Sequence, residues 1–516
     1  MRSIRKLKQI FAMALAMIMM FAMSVPVLAD EAANAAYSIT IKNAVGTYNA
    51  YQVFGGDLVT DSEGKQILSN VEWGSGVTPF TYQEMTEAKD IAEFLSGKGE
   101  DEAKAFADEA AKHVKTAASG TATADGGKAV ISGLEPGYYV ILNTLGDDDK
   151  NESVSRYILQ ITADQEVENK ADVPSFEKKL KDINDTTDKD YTGWQDSADY
   201  DIGDKIPFKL EGTVAANYDE YKGAYKFVFH DQEEAGLTFM PESVKVFVDD
   251  QEITSGYKVK TSGLDDGCTF EVIFENLKDI NSVKTGSKVR VEYNSELNDS
   301  AVLGQKGNAN KGKLEFSNNP NNEQGGTGET PWDNVIVFTY QVTADKYHMV
   351  DGEKTALEGA KFGLYKEVPE GTTGAQTIQI KGQDVTVISI GEKEGEADSQ
   401  GVKCIFNWKG LDDGNYVIVE TQTPAGYNTA DPIEFTITAE HDVTSDDPHL
   451  TQLNGGDLVT GDVSTGILST SIENKSGTTL PSTGGIGTRI FYLVGGVLAA
   501  GAAILLIVKR RMSREN

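Results

Sequence analysis

The chain is poor in cysteine. Its 516 residues include two, Cys268 and Cys404, far apart in sequence. A disulfide framework of the kind that holds small exported domains together needs more. Both read as small buried apolar side chains, with a single bridge between them left open. Histidine is equally scarce. The five, His113, His230, His348, His441 and His449, lack metal-ligand spacing, and no CxxC pair, GxSxG elbow or phosphate loop occurs. His230 and Asp231 are adjacent, but neighbouring strand residues face opposite sides of a sheet, so they are not a catalytic dyad. The Asp-rich stretch at 147–149 reads as a solvated turn. These absences argue against an enzyme, and neither a cofactor nor a metal is expected. Positive charge is short as well: 47 Lys and Arg against 80 Asp and Glu give a formal net charge of −33. A surface this acidic repels nucleic acid and keeps the protein soluble.

Long apolar runs occur only at the two ends. At the C-terminal end Leu480, Pro481, Ser482, Thr483 and Gly484 precede 19 uncharged residues, Ile490–Val508, and then Lys509, Arg510 and Arg511. A helix of that length reaches about 28 Å, close to the hydrocarbon thickness of a bilayer. A transmembrane helix is therefore expected there, with the basic residues cytoplasmic and Leu480 outside. At the N-terminal end Arg2, Arg5, Lys6 and Lys8 precede an apolar stretch from Ile10 to Met23, and Val27, Leu28 and Ala29 supply a cleavage site. Residues 1–29 read as a signal peptide. Removing both ends takes away mostly basic residues and leaves the mature chain more acidic still. The pentapeptide, apolar run and basic stop, in that order, resemble the sorting signal of Gram-positive surface proteins. That signal is the substrate of a sortase, a transpeptidase that cuts between Thr and Gly of LPxTG. The resemblance implies a secreted chain that ends at Thr483, joined covalently to an amine at the cell wall.

Between the ends, the length suggests about three domains. Apolar residues alternate with polar ones, as at Tyr37, Ile39 and Ile41, at Val244, Val246 and Val248, and at Ile433, Phe435 and Ile437. Period-two patterns between Gly, Asp and Asn turns predict antiparallel strands, mainly β, in tandem immunoglobulin-like sandwiches. Residues 81–118 are the exception. Thr81 and Glu84 have capping-box spacing, and Phe106, Ala110 and Val114 share one helical face, which predicts a helical insertion on the first domain.

The segment from Leu134 to Thr144 aligns without gaps to that from Leu411 to Thr421, and Val167, Glu168, Asn169 and Lys170 match Ile472, Glu473, Asn474 and Lys475. Two related domains flank a different middle one. The divisions are 30–173, 174–343 and 344–479, followed by the sorting signal at 480–516, with linkers near Lys170–Pro174 and Tyr340–Asp345. Leu357–Tyr365 followed by Val419–Tyr427 resembles the Cna-B-type domains of Gram-positive surface proteins. In the middle domain Pro174–Lys179, Tyr200–Asp204, His230 and Asp231 leading to Gly236–Phe239, and Leu314–Pro320 resemble the isopeptide-forming domain of fimbrial backbone subunits. The whole is similar to the sortase-assembled major pilin family.

The resemblance implies bonds between Lys and Asn side chains inside each core, assisted by a carboxyl group. A buried Lys is pushed toward its nucleophilic neutral amine, and a buried carboxyl toward the acid that can polarise the Asn amide and shuttle protons. The bond forms once, so this is maturation and not turnover. The middle domain then uses Lys178, Asp231 and Asn318. Asn318 shares strand parity with Leu314 and Phe316, and Lys179 competes with Lys178. The last domain uses Lys346, Glu420 and Asn474. Glu420 faces inward only if Tyr416, Ile418 and Glu420 do, or if a bulge intervenes. In the first domain Lys42 and Asn169 are available, but Asn143 stands where Glu420 does, so no internal bond is expected.

The function that follows is that of a pilus shaft subunit. Sortase joins Thr483 of one subunit to a Lys of the next, with Lys170 as the candidate acceptor. The chain lacks the YPK-like motif that holds this Lys in related shaft subunits, and Lys178 and Lys179 are the nearby alternatives. Expected partners are sortase, identical subunits, minor pilins and peptidoglycan. The alternatives are a monomeric wall-anchored adhesin or a basal or tip pilin. No metal motif, lectin signature or aromatic cluster marks an adhesive site.

Overall fold

The computed structural model describes residues 36–477 apart from 61–65, 97, 147–148, 150–151, 154–155, 170–171, 184–192, 265 and 322–324. The signal peptide, Lys170, the motif Leu480–Gly484 and the apolar run Ile490–Val508 lie outside the described residues. No helix among the described residues is long and apolar enough to cross a membrane.

The chain is mainly β, in three successive pairs of sheets. In the first pair, Tyr37–Lys42 lies between Lys128–Leu134, antiparallel, and Gln165–Glu168, parallel. Against this sheet packs a five-stranded one built on Thr47–Thr60 and Gly137–Thr144. Ile39, Ile41, Tyr48, Tyr139 and Ile141 fill the space between. The apolar run Tyr138–Leu142 has no polar alternation because both of its faces are covered. Tyr139 and Ile141 face the small sheet, while Tyr138, Val140 and Leu142 face two helices.

Those helices, Ala88–Leu95 and Glu100–Lys112, start later than the predicted insertion and are broken in two. Thr81 and Glu84 form no capping box. Gln83 and Glu84 have φ of 47° and 67°, and Tyr82 and Met85 exchange backbone hydrogen bonds of 2.9 Å across a tight turn. A residue at positive φ cannot sit in the first turn of a helix. The predicted face is nonetheless the packed one, with Phe106 and Ala110 fully buried and Val114 against the same core.

The middle pair joins a six-stranded sheet, in which Ser175–Lys181 lies beside Lys205–Thr213 and Lys288–Leu297 follows, to a seven-stranded sheet holding Phe227–Glu233 beside Asn308–Ser317. An aromatic-rich core fills the gap, with Phe208, Phe227, Phe229 and Phe270 all fully buried. Gly312 lets the two sheets approach: a Cβ there would stand 2.9 Å from the Phe176 ring and 3.0 Å from Leu210.

The last pair has no linker before it. Asp333–Phe338 closes the middle domain and Tyr340–Val350 opens the next, so the predicted linker at Tyr340–Asp345 is the first half of an 11-residue strand. That strand pairs antiparallel with Lys403–Leu411 and parallel with Ile467–Glu473. The opposing sheet holds Lys361–Glu367, Gly414–Gln422 and Ile433–His441. Both cysteines are free; Cys404 is buried, but Cys268 is only half-buried, contrary to expectation.

Candidate functional site

In Ser175–Lys181 alternation turns Lys178 and Leu180 into the core, both with no exposure, and Phe176 packs against the same core. Lys179 points away and pairs with Asp196, so of the two lysines it is Lys178 that enters the core. The Lys178 ammonium meets Asp231 and donates to the Tyr293 hydroxyl at 2.8 Å, and that hydroxyl donates to the same Asp231 oxygen at 2.6 Å. Burial drives both partners toward neutrality, Lys178 down and Asp231 up, against the attraction between them. His230, the sequence neighbour of Asp231, lies on the opposite face of the sheet, buried among Asp266, Glu271 and Glu315.

Asn318 is not the third member. It sits past the end of its strand, where its backbone N–H donates to the Gly326 carbonyl at 3.1 Å, and it makes no contact with Lys178 among the described residues. The inward parity of Leu314 and Phe316 holds, but it must be followed toward the start of the strand. There Gly312 pairs with Asp231, and Asn310 pairs with Glu233. Asn318 is eight residues beyond Asn310, roughly 25 Å at the rise of an extended strand. Asn310, fully buried, donates from Nδ2 to the Tyr293 hydroxyl at 3.0 Å and to Glu233 Oε1 at 3.4 Å. Its Oδ1 has no partner. Asn308, also inward, uses its amide on the Val302 and Val337 backbone at 2.8–3.1 Å and is structural.

Asn310, Tyr293, Glu233 and Ser295 were all missed. The available signal was polarity at inward positions: Asn310 shares parity with Leu314, and Glu233 with Asp231. Ser295 donates to Glu233. Burial, then the charge of Asp231, pushes the Glu233 carboxyl up to about 8.

In the last domain Glu420 and Asn474 are in contact, and Lys346 is buried near enough for the Glu420 charge to act on it. Tyr340, Val342, Ala344 and Lys346 alternate inward and are buried, as are Tyr416, Ile418 and Glu420 on the facing sheet. The inward register of Glu420 is the one adopted, and the pairing also slips by one residue between Gln422 and Glu420. Asn474 follows the last strand; its Nδ2 donates to Glu420 Oε2 at 2.9 Å and to the Asn428 carbonyl at 2.6 Å. Glu420 Oε2 also accepts from the Ala430 N–H at 2.6 Å. Lys346 Nζ donates to the Ile472 carbonyl at 3.0 Å and lies 5.7 Å from the centre of the Phe362 ring. Burial lowers Lys346 to about 8, partly offset by the charges of Glu420 and Glu473. Glu420 Oε1 and Asn474 Oδ1 are buried without partners.

Among its described residues the first domain has no such group. Lys42 is outside the core, pairing with Glu166 at 2.5 Å with more than half of each side chain exposed. Asn143 is buried, and its Nδ2 donates to the Val45 carbonyl at 3.4 Å.

Residues 344–448 match the SpaA family, described as a prealbumin-like fold domain, and residues 472–513 match the LPXTG cell wall anchor motif. The protein is thus a secreted surface protein anchored to the cell wall. Its chain is 24% identical over 410 residues to the trypsin-resistant surface T6 protein of Streptococcus pyogenes serotype M6, covering 66% of this chain and 70% of that one. The fold is similar to that of the T6 backbone pilin of serotype M6 S. pyogenes, with a TM-score of 0.52 and 18% identity over 86% of this chain and 99% of the other. It is also similar to that of the full-length major pilin SpaD of Corynebacterium diphtheriae, with a TM-score of 0.50 and 16% identity over 86% and 98%.

Proposed function

We propose that this protein is a structural shaft subunit of a covalently polymerised surface pilus. Sortase cleaves after Thr483 and joins it to a lysine of the next subunit, for which Lys170 is the candidate, and the last subunit is passed to peptidoglycan. Internal Lys–Asn bonds stiffen two of the three domains: Lys178–Asn310 with Asp231 in the middle domain, and Lys346–Asn474 with Glu420 in the last. The chemistry is a single intramolecular event, and sortase is the only enzyme needed.

The observation that carries this reading is the pair of buried Lys–carboxyl–Asn groups, each enclosed in its own core and each with an unpartnered Asn carbonyl. Unbonded, such groups impose the cost of burying charge and orphaned oxygens. Converted to a neutral amide, they become a tie. In the last domain that tie joins the first strand to the residue just after the last. Tension on a fibre then runs through a covalent bond, where hydrogen bonds of about 1 kcal/mol each would yield.

Wall extracts resolved under denaturing conditions test the polymer. A ladder of bands that survives boiling is expected, and it should collapse when Thr483 is replaced by Ala. A single band would instead favour a monomeric anchored adhesin.

A further inference from the structure

The middle domain holds two inward carboxyls where the last domain has one, and they meet different partners. Asp231 Oδ2 is taken by Lys178 and Tyr293. Glu233, two residues on and therefore on the same face, is the cross-strand neighbour of Asn310. Its Oε1 contacts the Asn310 amide at 3.4 Å and accepts from Ser295, while its Oε2 is shut from solvent without a partner. Asn310 is also within reach of Asp231. Three buried oxygens stand orphaned in this cluster, Asp231 Oδ1, Glu233 Oε2 and Asn310 Oδ1, and of the two carboxyls it is Glu233 that contacts the Asn310 amide. The two ends of a carboxamide have nearly the same shape. Turning the Asn310 amide by half a turn brings Oδ1 to Glu233, and a protonated Glu233 then donates to it.

We infer that Glu233 is a second catalytic group of the middle-domain crosslink, the acid that protonates the Asn310 carbonyl, while Asp231 is the base that deprotonates Lys178. This deepens the crosslink reading above and rests on it. Burial and the neighbouring Asp231 charge hold Glu233 in its acid form at neutral pH, and two carboxyls in one site take opposite roles when their surroundings differ in this way.

The steps balance. Asp231 takes a proton from the Lys178 ammonium and frees the Nζ lone pair. Nζ attacks Cγ of Asn310, the carbonyl π pair moves onto Oδ1, and Glu233 supplies the proton to that oxygen. Asp231 passes its proton to the amide nitrogen. The C–N bond breaks and ammonia leaves with the bonding pair. Glu233 recovers its proton as the carbonyl re-forms, and the surplus Nζ proton goes to Asp231. One C–N bond forms and one breaks, with no oxidant or reductant.

The test follows formation of the Lys178–Asn310 linked peptide by mass spectrometry after diluting the denatured, unlinked chain into refolding buffer across a pH series. In the unsubstituted protein the rate should fall on the alkaline side as Glu233 loses its proton near pH 8. Glu233→Gln keeps the shape and should slow linkage by about a hundredfold, without that alkaline fall. The Lys346–Asn474 bond in the same molecules reports refolding of the last domain, and near-ultraviolet circular dichroism of the aromatic-rich middle core reports refolding of the middle one. Linkage of Glu233→Gln at the unsubstituted rate would overturn the role of Glu233 and leave the crosslink standing. Should that variant fail to fold, an unsubstituted rate that keeps rising to pH 10 overturns it equally. Absence of any Lys178 linkage in the unsubstituted protein would overturn the parent reading instead.

Discussion

The first and last domains share a sheet plan and an aligned segment, yet among the described residues only the last brings a buried Lys, a carboxyl and an Asn together, and two positions make the difference. In the last domain the Asn474 N–H donates to the Tyr347 carbonyl at 3.0 Å, and the residue before it, Lys346, faces the core. In the first domain the Asn169 N–H donates to the Lys42 carbonyl at 2.8 Å. Lys42 therefore corresponds to Tyr347, and the counterpart of Lys346 is Ile41, which is fully buried. With Asn143 in place of Glu420, the first domain has neither the buried lysine nor the buried carboxyl at the matching positions. A side chain's chemistry in a sandwich depends on which face its position presents, because a shift of one residue exchanges core for solvent.

The largest contrast expected between the two domains is in stability. An uncrosslinked Lys346→Ala variant should lose about 5 kcal/mol from the last domain, by the chain-entropy model for closing a loop of over a hundred residues. Lys42→Ala removes only a solvent-screened ion pair with Glu166 and should leave the stability of the first domain essentially unchanged. Calorimetry of the two variants checks this, and equal losses would break the comparison. In the unsubstituted protein the first domain should be the first to unfold on heating and the first to be cut by protease; simultaneous loss of first and last domains would contradict its lack of a tie.

Rebuilding the missing group sharpens the point. Ile41→Lys combined with Asn143→Glu should make the chain lighter by one further ammonia, with a linked peptide joining residues 41 and 169. Ile41→Lys alone should leave the mass unchanged apart from the substitution, and should destabilise the first domain by the several kcal/mol that a buried unpaired charge costs.

A smaller effect is pH dependence in the last domain. The nucleophile is the neutral amine, so a Lys346 pKa lowered to about 8 means that linkage speeds up as pH rises. Refolding experiments should show a rate falling about tenfold per unit below that value and levelling above it. Smallest of all, Lys179→Ala should leave the mass of the middle-domain crosslink intact, since Lys179 lies outside the core and pairs with Asp196. Loss of the bond in that variant would contradict the assignment of Lys178.

Much of this organisation was legible in the sequence because alternation carries it. Tyr37–Ile41 and Ile433–Ile437 lie in strands, whereas the facing of Glu420, which the sequence left conditional, is decided by the inward register of Tyr416, Ile418 and Glu420 together with a slip in pairing. Errors arose where local pattern says nothing about position along an element. Asn318 has the right face at the wrong end of its strand, and only the pairing of Asn310 with Glu233 fixes the place. Lys42 lies one position off the inward face. The tight turn closed by Tyr82 and Met85, with Gln83 and Glu84 at positive φ, takes the place of the capping box that the spacing predicts. The direct handover at Thr339, without a linker, leaves no compositional mark.

Intact mass and peptide mapping of residues 30–479 test the central claim most directly. The account predicts a chain lighter by two molecules of ammonia, with one link between Lys178 and Asn310 and one between Lys346 and Asn474. An unshifted mass, or a middle-domain link that ends on Asn318, would contradict it.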